Sequence, residues 1–276
     1  LPPNIKKVNH FMEFEGIVYV SCDFGIVQFN LATMQFGDTY FIGDNGAEIR
    51  VNQTALFNGF IYATTNNGIR RADISNKNLI DYKQWGTIAT GNWSSVVTFG
   101  TDLYAINAAG YIHKFNSGSN SFTGFIALSQ PSLDMRATAD YLIVTTLSSI
   151  YIYNNQMALV RQINTNQITD TNPSFTCATI IGDAIFIGTK ENGLITASLS
   201  SAGTFENITP IGPSRNNIFA LQATTSVLWT VYGDYSADYN PYPLDSYGIS
   251  KFSATGWLNI PYEEVLGAQS MTRITV

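Results

Sequence analysis

Hydrophobic residues in this chain fall in short runs broken by Gly-, Asn- and Asp-containing turns, and the runs recur with a period of about 42 residues. The clearest copies are Gly16-Ile17-Val18-Tyr19-Val20 before Gly25-Ile26, and Gly59-Phe60-Ile61-Tyr62-Ala63 before Gly68-Ile69. Later copies are Leu103-Tyr104-Ala105 before Gly110-Tyr111, Leu142-Ile143-Val144 before Ile150, Ile185-Phe186-Ile187 before Gly193-Leu194, and Leu228-Trp229-Thr230 before Gly248-Ile249. A unit of about 40 to 50 residues with about four short strands is the signature of a β-propeller blade.

The register predicts innermost strands at Val8–Phe14, Val51–Phe57, Trp93–Phe99, Ser174–Ile180 and Asn217–Ala223. Their small and medium residues, such as Ala55, Val97 and Ala178, suit a narrowing central channel. Tyr19, Tyr62, Tyr104, Ile143, Phe186 and Trp229 share one position of the second strand, where a bulky side chain is expected between neighbouring blades. The third strand alternates, with Ile26, Ile69, Tyr111, Ile150, Leu194 and Ile249 leading and Gln28, Arg71, His113, Thr196 and Lys251 two places on. Gly25, Gly68, Gly110, Gly193 and Gly248 are expected at positive φ in the preceding turn, and Leu147-Ser148-Ser149 reads as a shorter substitute in the fourth unit. Outermost strands are expected at Phe36–Ile42, Leu79–Trp85, Phe122–Leu128, Leu159–Ile163, Phe205–Thr209 and Trp257–Ile260. The predicted fold is all-β: six complete four-stranded blades, with the tail from Gln269 to Val276 opening a further, seventh blade. A closed six-bladed ring with a trailing strand is the competing arrangement. The uniform repeat makes residues 1–276 a single propeller domain, expected to be part of a longer multi-domain protein.

Composition narrows the partners. Twenty acidic against 14 basic residues give a net charge of −6, and the basic residues are dispersed apart from Lys6-Lys7 and Arg70-Arg71. No basic stripe exists to displace counterions from a phosphate backbone, which argues against nucleic acid. No apolar run approaches the roughly 18 residues of a membrane span. Leu1-Pro2-Pro3-Asn4 leads straight into domain-like sequence, so no cleavable leader is expected. Cys22 and Cys177 occupy different places in different blades and are expected to be buried, unbridged thiols.

Catalytic constellations are lacking. The sequence has no Gly-x-Ser-x-Gly, no phosphate-cradling Gly-rich loop and no Cys-x-x-Cys. Two histidines do not readily build a metal cage, and neither a metal site nor a cofactor is expected. His113 reads as a polar-face residue and His10 as a structural residue at the mouth of an innermost strand. Asp23, Asp44, Asp102, Asp140 and Asp183 sit in or beside turns, where Asp belongs for local hydrogen-bonding reasons, and no acid–base pair stands out among them. The sequons at Asn52, Asn92 and Asn207 read as chance in an Asn- and Thr-rich chain.

One segment breaks the period. Between Gly233 and Tyr247 a turn that needs about four residues elsewhere is expanded, and insertions of this kind are frequently functional. Asp234, Tyr235, Asp238, Tyr239, Tyr242, Asp245 and Tyr247 make it acidic and aromatic, suited to stacking on a sugar or contacting a protein. Asp234, Asp238 and Asp245 also invite a calcium reading, though their spacing matches no known loop pattern. A loop that merely packs over the channel mouth is the alternative.

The repeats from Gly16 to Asn30 and from Gly59 to Asp73 resemble the propeller repeats of two-component regulators. The run of blades further resembles the PorZ family, propeller-containing components of the type IX secretion system of Bacteroidetes. That resemblance implies an exported, non-catalytic scaffold at the outer membrane, cell surface or periplasm. It implies protein partners in a sortase-type attachment complex, with lipopolysaccharide or another glycan as a further ligand. A periplasmic sensing propeller of a hybrid two-component receptor, with an oligosaccharide ligand, is the second expectation. A polysaccharide-acting enzyme is the third.

Overall fold

The computed structural model describes residues 7–168, 173–201, 203–208, 212–233, 238, 247–268, 271 and 273–275. Among the described residues six four-stranded sheets are formed, each with its strands paired antiparallel in chain order. The innermost strands are Val8–Phe14, Val51–Phe57, Trp93–Phe99, Ser132–Ala137, Phe175–Ile181 and Ile218–Ala223. The outermost are Gln35–Tyr40, Gly86–Ala89, Ser121–Ala127, Leu159–Asn164, Phe205–Asn207 and Gly256–Ile260. By contact density the chain divides into Leu1–Ile208, which carries five blades, and Thr209–Val276, which carries the sixth. Of the tail expected to open a further blade, Met271 and residues 273–275 are described and lie outside the assigned strands.

Within the first unit, the shared bulky position of the second strand joins each blade to the next. Tyr19 packs with Ile61 and Ala63 of blade two, and Tyr62 with Leu103 and Ala105 of blade three. Tyr104 meets Leu142 and Val144 of blade four, and Ile143 meets Ile185 and Ile187 of blade five. Each of these side chains is fully buried or nearly so, and burying one stabilises the blade pair by about 1.5–3 kcal/mol. In the second, third and sixth blades the residue opposite on the third strand is a cation. Arg71 lies 5.8 Å from the Tyr62 ring, Lys114 5.9 Å from Tyr104 and, in the second unit, Lys251 5.4 Å from Trp229, all within cation–π reach.

These pairings correct the predicted register of blade three. Ile106 pairs with Ile112 across a turn one residue longer than the one joining Thr64 to Ile69 in blade two. Lys114, not His113, therefore takes the slot of Arg71, and the buried Ile112, not the exposed Tyr111, leads the strand. The supposedly shorter turn of blade four is of ordinary length, since Thr145 pairs with Ile150 just as Thr64 pairs with Ile69. Ser149 replaces the glycine there, its N–H donating to Thr146 Oγ1 at 3.0 Å while that hydroxyl donates to Ser149 O at 3.0 Å.

The five glycines predicted at positive φ all adopt it. Gly68 shows why: its φ is +108°, and a Cβ would stand 2.4 Å from Ala89 O of the outermost strand.

In blade two the stretch predicted as the outermost strand, Leu79–Trp85, instead forms a loop with a 3₁₀ turn at Tyr82–Gln84, and the strand is Gly86–Ala89. Leu79 and Trp85 are drawn into the core between blades one and two beside Tyr40, and Trp85 Nε1 donates to Leu79 O at 3.0 Å. In the second unit, Tyr232 is buried among hydroxyls, accepting from Thr230 Oγ1 at 3.0 Å and from Ser214 N–H at 3.1 Å.

Candidate functional site

Each innermost strand carries a β-bulge at its start, an extra residue that re-aims the next side chain. In the first three blades the bulged residue reaches the following blade. Asn9 Nδ2 donates to Val51 O at 2.9 Å, Asn52 Nδ2 to Trp93 O at 2.8 Å, and Ser94 Oγ lies 3.0 Å from Ser132 Oγ. Asn52 is thereby committed to the fold rather than offered as a glycan acceptor. The next residue occupies one equivalent register position, held in the first unit by His10, Gln53, Ser95, Asp134 and Cys177.

Three of those five line a cleft of about 530 Å³ between the innermost strands of blades one to four. Gln53, 7% exposed, spans it by donating from Nε2 to Met135 O of blade four at 3.1 Å. Asp134 Oδ2 lies 3.5 Å from Arg136 Nε, an ion pair whose side chains keep 23% and 55% of their surface exposed. Buried side-chain atoms in native proteins nearly always find a hydrogen-bond partner. Here His10 Nδ1 has none, and Asp134 Oδ2 has no close hydrogen bond beyond its long ion pair with Arg136. Phe11, 65% exposed, adds an aromatic face to the same cleft.

Electrostatics follow from that burial. The His10 imidazole is pushed down to about 4, first by loss of water and then by the Arg136 guanidinium. Burial raises the Asp134 carboxyl above its usual range, and the Arg136 charge offsets part of that rise.

His10 also predicts a pH effect. Its folded pKa lies below the unfolded value of about 6.5, so between these limits the unfolded chain takes up a proton that the folded chain refuses. Stability is full above that window and falls as pH drops through it, by up to about 3 kcal/mol. Asp134 contributes the opposite slope at the acid end, because its raised pKa lets the folded chain hold a proton the unfolded chain has released. Thermal melts across pH 7 to pH 4 are expected to show a smaller fall for His10→Gln than for the native chain. Equal slopes would remove His10 as the cause.

Other sequence-selected groups have local roles. His113 Nδ1 lies 3.0 Å from Tyr111 O and its ring packs edge-on against Trp93. Asp23 accepts from Asn9 Nδ2 at 2.9 Å and pairs with Arg50, Asp44 pairs with the buried Arg70 at 2.8 Å, and Asp102 with Lys114 at 2.8 Å. Cys22 and Cys177 are unbridged; Cys22 is buried as expected, whereas Cys177 is only partly so. Of the expanded loop, Asp238 and Tyr247 are described: Asp238 is exposed, and the Arg215 guanidinium lies 3.9 Å from the Tyr247 ring centroid. Asp234, Tyr235, Tyr239, Tyr242 and Asp245 lie outside the described residues. Among the described residues no group of three or more His, Cys, Asp or Glu side chains is placed to hold a metal, and no helix is long and apolar enough to cross a membrane.

Sequence reasoning passed over Gln53, Asp134 and Arg136. Asp134 and Arg136 lie on the innermost strand of blade four, which carries no glycine hairpin to anchor the repeat. Counting back from Leu142, which pairs with Ala137, would have located it.

Bulged innermost strands, blade-to-blade aromatic packing and six antiparallel four-stranded sheets define a β-propeller protein. Residues 3–86, about a third of the chain, match the family described as the PorZ N-terminal β-propeller domain of the type IX secretion system. Among solved structures, the fold is similar to PorZ, an essential surface component of the type IX secretion system of Porphyromonas gingivalis, with a TM-score of 0.68 at 17% identity over 92% of this chain and 33% of that one. It is also similar to the extracellular domain of BT4673 from B. thetaiotaomicron, assigned as a hybrid two-component system, with a TM-score of 0.55 at 14% identity over 95% of this chain and 34% of that one. The chain spans about a third of the length of either structure. No curated protein matches it.

Proposed function

We propose that this chain is a non-catalytic binding scaffold of the type IX secretion apparatus, exported to the outer surface of the cell or the periplasm. There it contacts protein partners of a sortase-type attachment complex and, within a longer parent protein, an anionic lipopolysaccharide. The observation that carries this reading is the match of residues 3–86 to the PorZ propeller family, supported by a fold likeness to PorZ over 92% of the chain.

The polar groups support a binding rather than a catalytic role. A nucleophile and its base stand about 2.6–3.2 Å apart. Among the described residues, His10 Nδ1 has no partner and His113 Nδ1 faces a backbone carbonyl rather than a hydroxyl. The acidic, Tyr-rich segment from Gly233 to Tyr247 is the partner surface in this reading, with Asp238 on the surface and Tyr247 held under Arg215.

Cross-linking on intact cells followed by capture of the tagged parent protein is expected to recover type IX components, with lower yield when Asp234, Asp238 and Asp245 are changed to Asn. Recovery of none of them would overturn the assignment. A second reading, the ligand-sensing propeller of a hybrid two-component receptor, draws on the likeness to BT4673. A transmembrane helix and kinase encoded downstream in the same gene would favour it.

A further inference from the structure

We propose that the cleft between the innermost strands of blades one to four binds a neutral, polyhydroxylated ligand through His10, Gln53, Asp134 and Arg136. Its volume of about 530 Å³ falls within the roughly 300–1,000 Å³ of small-molecule sites, and polar residues make up about half of its lining, set beside apolar ones such as Val97 and Met135.

The ligand class follows from matching charges and protons. A buried polar atom left without a hydrogen bond is costly, so His10 Nδ1, which has no partner, and Asp134 Oδ2, which has only the long 3.5 Å ion pair to Arg136, favour a group that brings them hydrogen bonds. An ionised Asp134 carboxylate can only accept, and a ligand anion placed against it would be repelled. A ligand cation would meet Arg136, 55% exposed on the same cleft. The imidazole, kept neutral, offers one donor and one acceptor but no charge. What remains is a group that donates and accepts without charge, and a hydroxyl does both. Adjacent hydroxyls can donate to Asp134 and His10 while accepting from Arg136. The exposed Phe11 ring offers an apolar surface for the C–H face of the same molecule.

A free polyol and the end of a neutral sugar chain share this chemistry. The proposal does not rest on the secretion reading, and its test reads binding alone.

Calorimetric titration of the 276-residue chain with myo-inositol, glucose and maltotetraose is expected to give saturable binding, with glucuronate and glucosamine weaker than glucose. Comparable affinity for glucose and the tetraose assigns a free polyol; binding of the tetraose alone assigns a chain end. Asp134→Asn removes a partly buried charge, so the fold is expected to survive, yet affinity should drop about tenfold or more, the weight of a hydrogen bond to a charged group. His10→Gln, which installs the side chain blade two uses at this position, should weaken binding as well. Absence of saturable binding by all three neutral probes, a preference for either charged sugar, or unchanged affinity in both folded variants would overturn the proposal.

Discussion

Replacing Gly68 with alanine is expected to destabilise the first unit by about 3 kcal/mol, far more than most single surface changes. Two costs act together. At φ +108° an L side chain is strained, and its Cβ would stand 2.4 Å from Ala89 O, a backbone atom that cannot swing aside. Relief requires the outermost strand of blade two, Gly86–Ala89, to move away from Gly68–Asp73 and give up its ladder hydrogen bonds. Gly59→Ala is the control, because Gly59 also has positive φ, +77°, but a Cβ there meets nothing within 4 Å. That variant should lose only about 1 kcal/mol from backbone strain. Urea unfolding of both measures the difference, and equal losses would show that the close approach to Ala89 is not what holds glycine at 68.

The second large effect is expected for Tyr62→Ala, at about 4 kcal/mol, as for other large aromatics truncated in a core. Tyr62 is 1% exposed and packs against Leu103, Ala105 and Phe115 of blade three, so its loss leaves a cavity at the seam between two blades. Tyr62→Phe isolates the packing, since the hydroxyl makes only a long 3.5 Å contact with Arg71 and its removal should cost little. Phe36, 74% exposed on an outermost strand with only an edge-on contact to Phe29, provides the comparison: Phe36→Ala should cost no more than about 1 kcal/mol. A loss at Tyr62 no larger than that at Phe36 would contradict the view that this repeated position binds blade to blade.

The repeat made the blades legible because it records local physics. The bulky residue of the second strand and the glycine before the third are imposed within one blade and recur in the next, so Val8–Phe14, Val51–Phe57 and Trp93–Phe99 were placed to the residue. Errors arose where chain length changed without changing hydrophobicity. One extra residue between Asn107 and Tyr111 put His113 where Lys114 belongs. The loop from Leu79 to Trp85 resembles a strand in sequence because both of its ends are buried, against Tyr40 of the neighbouring blade.

The cleft was not legible, for a different reason. Gln53 and Met135 are 82 residues apart, and nothing local in either segment announces their contact. His10 was visible as a residue at the mouth of a strand; that Asp134 and Arg136 line the same cleft depended on an innermost strand the repeat did not mark. The period break at Gly233 to Tyr247 was conspicuous in sequence, whereas the polar cluster arises inside the regular part of the repeat.

The proposed secretion role has one direct test. With the gene deleted in the bacterium that encodes it, type IX cargo is followed in surface-attached and periplasmic fractions. The scaffold reading predicts loss of surface-attached cargo, with build-up in the periplasm, reversed by restoring the gene. Cargo that still reaches the surface at full level in the deletion strain would contradict it.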